Sequence, residues 1–285
     1  SNKGFEISAG LKLLNLAGFK WELGGSIGHY KNTIESLPDE GEFITSLYGA
    51  YILTSVGNSA GVFYGYKTLG VFTSEDAASA ANLNLIDKDG VVQSFNAGDV
   101  HFEDLDNNNI INEKDRQVIG NPNPDFFGSF NSKIDIGNFT LDMLFTYSYG
   151  NDIYNALRAN LESGSLFTNQ TTAMLNRWFY EGQETIQPKV TYMDPMGNSR
   201  FSDRWIEDGS YLRFKTLSLA YNIPMKNSVI DGLKIWVSGN NLFTFTNYLG
   251  RDPEVSVNNE VLYQGIDAGM LPLTRSYFIG IKMNL

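Results

Sequence analysis

The feature that most limits what this chain can fold into is an apolar–polar alternation of period two, repeated in long runs. Phe5, Ile7, Ala9, Leu11 and Leu13 alternate with Glu6, Ser8, Gly10 and Lys12. Successive strand side chains point to opposite faces, so such a run predicts a strand with one apolar and one polar face. A turn near Asn15 leads to a second run, with Phe19, Trp21, Leu23 and Ile27 facing away from Lys20, Glu22, Ser26 and Gly28. Phe126, Phe130, Ile134 and Ile136 stand opposite Ser129, Asn131, Lys133 and Asp135, and Gly137-Asn138 signals a tight turn. Phe139, Leu141, Met143, Phe145, Tyr147 and Tyr149 then oppose Thr140, Asp142, Thr146 and Ser148. A further pair runs from Tyr211 to Ile223 and from Leu233 to Phe245, joined by a short connection containing Pro224. In its first strand, simple alternation puts Arg213 and Lys215 on the face of Leu217, Leu219 and Tyr221. The last run is Tyr277, Ile279, Ile281, Met283 and Leu285.

A soluble β-sandwich buries such faces against a second sheet, whereas a transmembrane barrel turns them to lipid and keeps polar groups in its lumen. Runs of about 11–13 residues exceed the usual globular strand and suffice to cross a bilayer at a tilt. Aromatic residues close both ends of the row from Phe139 to Tyr149, as interfacial girdles do. Short turns alternate with long loops. The predicted fold class is therefore all-β, an antiparallel transmembrane β-barrel segment of about seven membrane strands. An odd set leaves two unpaired edges, which lipid does not tolerate, so other strands must complete it.

The chain divides accordingly. Two barrel strands occupy 1–30, a long extracellular region 31–125, a barrel hairpin 126–150, and an extracellular loop 151–209. A second hairpin covers 210–245, another extracellular loop 246–272, and the final strand 273–285. Composition narrows the function classes. A net charge of −11 argues against nucleic acid as a partner. Absence of cysteine leaves no disulfide framework or thiolate metal site. Residues 1–20 carry no secretion signal, so the chain is expected to begin after one or to be a fragment.

Several colinear blocks carry a family resemblance. The segments GDVHFEDLDNNNIINEKDRQVIGNPNPDFFGSF from Gly98, EDGSYLRFKTLSLAYNIP from Glu207, NNLFTFTNYLGRDPEV from Asn240 and FYGYKTLGVF from Phe63 resemble SusC/RagA-family TonB-dependent outer-membrane transporters, in the C-terminal part. The resemblance implies a barrel of about 22 strands around a plug, in the outer membrane of a Gram-negative bacterium. It implies import of oligosaccharides or oligopeptides with a SusD-like surface lipoprotein. The implied partners are the remaining N-terminal barrel and plug portion, TonB acting through that portion, the lipid bilayer, and a glycan or peptide substrate. Two positions depart from the family pattern: the terminal Leu285, where an aromatic residue is usual, and Asn109, where Gly is more frequent.

Asp104, Asp106, Asn108 and Asp115 fall at positions 1, 3, 5 and 12 of a calcium-type loop, with the carbonyl of Ile110 at position 7. Oxygen donors at that spacing suit Ca2+ in a structural role, and the alternative is an acidic turn without an ion. Trp178, at the end of a weak helical pattern from Asp152, and Tyr248, Arg251, Asp252 and Glu254 are candidates for a ligand or partner loop. The last four also suit a loop fixed by Arg–carboxylate pairing. His29 and His101 stand in no metal-ligand spacing, and neither a G-x-S-x-G elbow nor a phosphate loop is present. An enzyme is not expected. The competing function is a secreted, calcium-dependent β-sandwich module that binds glycans. A free-standing small porin fits poorly with an odd strand count.

Overall fold

The computed structural model describes residues 1–38, 41–225, 232–254, 256–258 and 260–284. Seven long strands dominate it: β1 (Asn2–Leu16), β2 (Phe19–Asn32), β3 (Phe126–Ile136), β4 (Phe139–Tyr149), β5 (Tyr211–Pro224), β6 (Gly232–Thr246) and β7 (Ser276–Asn284). Each pairs antiparallel with the next in chain order, giving one open meander with β1 and β7 at its edges. Two of the connections are two-residue turns closed by Gly18 (φ +82°) and by Gly137 (φ +57°) with Asn138. The connection at 226–231 and the terminal Leu285 lie outside the described residues.

Register explains how long apolar rows survive in strands whose sequence does not alternate perfectly. Partners directly opposite in an antiparallel pair share a face. Leu11 faces Leu23 and Leu14 faces Trp21, so β1 carries a bulge at Leu13. The bulge moves Leu14 and Leu16 onto the apolar face and corrects the simple alternation, which had placed Leu13 there. The strand also continues past Asn15, and the turn is Ala17-Gly18. In β5, Thr216 faces Leu144 but Phe214 faces Phe145. Lys215 is the extra residue, and the slip returns Arg213 to the polar face and Phe214 to the apolar one. The predicted placement of Arg213 with Leu217 is therefore corrected: one residue added to a strand reverses every side chain beyond it.

The apolar face is open. Phe130, Phe145 and Phe214 stack across β3, β4 and β5 at 4.5 Å between successive rings. On the outer strands Leu11 is 61% and Ile281 69% exposed, and even inside the sheet Phe243 is 57% exposed. No second sheet packs on this face among the described residues. A sandwich interior would be shielded on both sides, so the sandwich alternative fails here and the surface fits contact with lipid.

The long connections form a body with its own hydrophobic interior. Strands Phe43–Leu47, Ala50–Thr54, Val62–Tyr66 and Arg116–Gly120 make a four-stranded sheet. Asp152–Asn155 is the middle of a three-stranded sheet between Ile206–Asp208 and Ile266–Asp267. Ile52, Phe63, Tyr154, Phe201, Trp205 and Ile266 are buried together. A second cluster gathers Phe72, Val100, Phe102 and Ile111 under helix α1 (Glu75–Ala81). The weak helical pattern from Asp152 to Trp178 yields only α2 (Ala156–Leu161) and a 3-10 turn at Thr172–Asn176. Asn155 caps α2 by accepting from the Arg158 amide (2.9 Å), and Ser163-Gly164-Ser165 ends the pattern, with Gly164 at φ +63°.

Candidate functional site

The polar face of the sheet is the first element. Lys12, Glu22, Lys133 and Asp142 lie directly opposite one another across β1 to β4, so charge alternates in sign along the row. Opposite charges at facing positions are favourable, and here they hold the register while keeping the face wet. Ser26 and Ser129 share a hydrogen bond (2.9 Å), and the Thr140 hydroxyl donates to Asp135 (2.6 Å).

Above this face, the last long loop is tied to the wall by Arg213. The guanidinium is 2% exposed, hydrogen-bonds the Asp252 carboxylate, and places Nε 3.1 Å from Glu254. Asp252 also accepts from the amides of Glu254 and Leu273 (both 3.0 Å), and Lys215 lies 3.8 Å from Glu254. Of the two readings open for this loop, Asp252 and Glu254 follow Arg–carboxylate pairing, with Arg213 rather than Arg251 as the cation. Tyr248 is 5% exposed and donates to Asp267 (2.7 Å). Burial, and then the Asp267 carboxylate, push its phenol above the usual range. Tyr248 and Asp252 are thus both buried by packing within the loop body. Arg251 remains exposed beside a groove between α2 and this loop. Trp178 packs flat on Gly98, where an added Cβ would lie 2.5 Å from its ring, and its indole N–H donates to the Thr73 carbonyl (3.3 Å).

A charged network holds the loop body together. Arg158 donates to Glu207 (2.5 Å), bonds the Arg204 carbonyl and lies 3.4 Å from Glu162. Gln187 donates to Glu162 (3.0 Å), and Glu207 accepts from the Leu249 amide (2.9 Å). Burial, with repulsion from Arg158, lowers the Arg204 guanidinium to about 10. These bonds join α2, the 171–187 segment and the last loop.

Asp152 is less well served. It faces Asp208 directly in the ladder, and burial, followed by the Asp208 and Asp125 charges, raises its pKa against one favourable bond from the Asn121 amide (2.8 Å). A carboxyl raised on folding takes up a proton in the native state, so stability falls as pH rises from the ordinary carboxylate value through the folded value. Asp152→Asn keeps the acceptor and removes the charge. It is expected to raise the melting temperature at pH 7, with the difference from wild type vanishing below about pH 4. A pH-independent difference would contradict this account.

The acidic loop brings Asp104, Asp106 and Asp115 together, each offering an oxygen within 4.8 Å of the others. Asp104 accepts from the amides of Asn108 (3.2 Å) and Asn109 (2.7 Å), and Asn108 Oδ1 accepts from the Ile110 amide (2.7 Å). Asp115 is fully buried and accepts from the amides of Leu105 (2.9 Å) and Asn112 (2.7 Å). Asn109 takes φ +63°, the left-handed conformation for which Gly is the easier choice. The donors are all oxygen and the loop is preformed, so the residues fit a hard divalent cation. His29 Nδ1 lies 2.6 Å from the Asp125 carbonyl between the rings of Phe5 and Phe126, and His101 stacks on Phe72 at 4.4 Å.

Alternation of long strands does not point to the cleft beside the four-stranded sheet. It is bordered by Tyr48, Tyr51, Tyr66, Tyr154, Arg116 and Arg200. The available signal was the aromatic density of FYGYK and of the Tyr48-Gly-Ala-Tyr51 turn.

No family model matches the chain. It is 32% identical over 296 residues to TonB-dependent receptor P3 of Formosa agariphila, covering 99% of the chain and 28% of that receptor. Receptor P39 of the same organism is 27% identical over 315 residues, covering 99% and 30%. Among solved structures, the RagAB peptide transporter superposes with a TM-score of 0.75 at 20% identity, over 99% of this chain and 29% of that one. The chain is similar to a part of TonB-dependent receptors. The RagAB importer in its open-open state gives a TM-score of 0.74 at 20% identity, and at that identity the likeness is one of fold. The chain spans less than a third of the receptors' length. Its relatives are receptors, and the seven-stranded meander shares its fold with part of the RagAB transporter chain.

Proposed function

We propose that this chain forms barrel wall and outer loops of a TonB-dependent importer in the outer membrane of a Gram-negative bacterium. The observation that supports it most is the seven-stranded meander with an exposed apolar face, a charge-alternating polar face and two unpaired edges. Unpaired edges are untenable in lipid, so β1 and β7 pair with the N-terminal barrel portion, which also supplies the plug and the contact with TonB. The cargo is an oligosaccharide or oligopeptide, handed over by a SusD-like lipoprotein seated on the loop body. The long connections 31–125, 151–209 and 246–272 lie outside the cell, and the short turns at Gly18 and Gly137 face the periplasm.

Native mass spectrometry of the detergent-extracted protein tests this. The expected species is a barrel-and-plug polypeptide containing this sequence, with a lipoprotein attached. A detergent-independent soluble monomer would overturn the reading.

A Ca2+ ion held by Asp104, Asp106, Asn108, the Ile110 carbonyl and Asp115 completes the proposal, and it stiffens the loop. Added Ca2+ is expected to slow proteolysis near residues 104–115 in the receptor, and EDTA to restore it. Asp106 is exposed and bonds only the Asn108 side chain among the described residues, so Asp106→Asn should abolish the Ca2+ effect without loss of folding. Equal protection in Asp106→Asn would exclude the ion from this site.

A further inference from the structure

The loop body contains a cleft of about 680 Å3, within the range of small-molecule sites. Its chemistry runs against that of the chain. Net charge is −11, yet no carboxylate borders the cleft among the described residues, and two guanidiniums do. Arg116 lies 4.2 Å over the Tyr51 ring, and Arg200 lies 4.9 Å over the Tyr66 ring. Arg200 spends Nε and one terminal nitrogen on the carbonyls of Gly197 and Met196 (both 2.8 Å) and forms no ion pair among the described residues. Arg116 touches one carboxylate, Glu113 at 3.2 Å, which is itself 84% exposed. Among the described residues the Arg116 Nε is buried with no hydrogen-bond partner, a costly state for a cationic donor. Burial, with some repulsion from Arg116, also holds the Arg200 guanidinium below its usual range.

The mouth of the cleft is strained. Tyr48 adopts φ +52° at the tip of the hairpin joining Phe43–Leu47 to Ala50–Thr54. A turn of this hand favours Asn or Asp there, and a bulky side chain costs about 1–2 kcal/mol. The conformation is held from inside, because the Tyr154 hydroxyl donates to the Tyr48 carbonyl (3.0 Å). The result is a tyrosine ring 56% exposed at the rim. Strain of this kind collects at ligand clamps.

We propose that this cleft binds an acidic saccharide, a sugar unit bearing a carboxylate or a sulfate ester. The tyrosine faces take the ring, and the terminal nitrogens of Arg116 and Arg200 that have no partner among the described residues take the anion. Planar guanidinium donors suit carboxylate and sulfate oxygens, and such charge-assisted bonds are the strong ones. The wall from Asn160 to Thr168 adds the hydroxyls of Ser163, Ser165 and Thr168, which match a ring with several hydroxyls better than the regular amides of a peptide. This assignment rests on the importer reading and narrows its cargo.

Calorimetric titration of the detergent-purified receptor tests it with four probes: tetragalacturonate, its fully methyl-esterified form, a chondroitin sulfate tetrasaccharide and tetraglutamate. One or both acidic sugars are expected to bind at least about tenfold more tightly than the neutral ester, and Arg116→Gln should remove about that factor. Tyr48→Ser, at an exposed position, should weaken sugar binding without lowering the melting temperature, which covers the case of Arg116→Gln misfolding. Failure of both acidic sugars to bind more tightly than the neutral ester, or an unaffected Arg116→Gln variant of normal melting temperature, overturns the proposal. Binding of tetraglutamate alone replaces the saccharide by an acidic peptide. Outer-membrane fractionation of the same preparation reports on the importer reading separately, so failure of one is not mistaken for failure of the other.

Discussion

Arg213→Ala is expected to destabilise the protein by about 3–5 kcal/mol. The cation and Asp252 are both buried, so removing the guanidinium leaves a carboxylate without its counter-charge. The consequence reaches beyond the pair, because Asp252 also holds the amides of Glu254 and Leu273. The last loop should detach from β5. The urea midpoint of the receptor in detergent measures the cost, and protease cleavage between 249 and 273 measures the detachment. Adding Asp252→Asn to Arg213→Ala should recover part of the loss, since no charge is then stranded. A double variant as unstable as the single one would show that packing of the arginine stem, rather than charge, dominates.

Met143→Arg is the second large effect. Met143 sits in the middle of β4, opposite Ser132 and Leu217, on the face where rings and aliphatic chains are open to the outside. Arginine on a lipid-facing barrel position near the bilayer midplane costs about 2–4 kcal/mol, falling toward the interfaces. The same change at the adjacent polar-face residue Leu144, opposite Asn131 and Thr216, should cost far less. Reversible urea unfolding from lipid vesicles compares the two. A companion Met143→Trp variant should be quenched by brominated acyl chains. A protected indole would mean that this face is covered by protein.

Much of the wall could be read directly from the residues. Period-two alternation is a local property, since adjacent side chains on an extended backbone must point opposite ways whatever they later touch. It therefore located the seven strands and the apolar-face residues of Phe139–Tyr149 and of the Tyr277 row. The spacing from Asp104 to Asp115 was equally local, and those carboxylates do converge.

Where the reading slipped, the cause was long-range. The bulges at Leu13 and Lys215 show only in the partner strand's register, and Lys215 decided whether Arg213 faced lipid or the loop that it anchors. The partners of Tyr248 and Asp252, Asp267 and Arg213, are likewise set by contacts between separate elements. The cleft gathers Tyr48, Tyr66, Arg116, Tyr154 and Arg200 from five separate stretches. Sequence by itself determined which residues extend and which runs alternate, because backbone geometry dictates these residue by residue. Tertiary structure alone decided which charges are paired and which arginines are left with donors to spare, because pairing depends on contacts between segments tens to hundreds of residues apart.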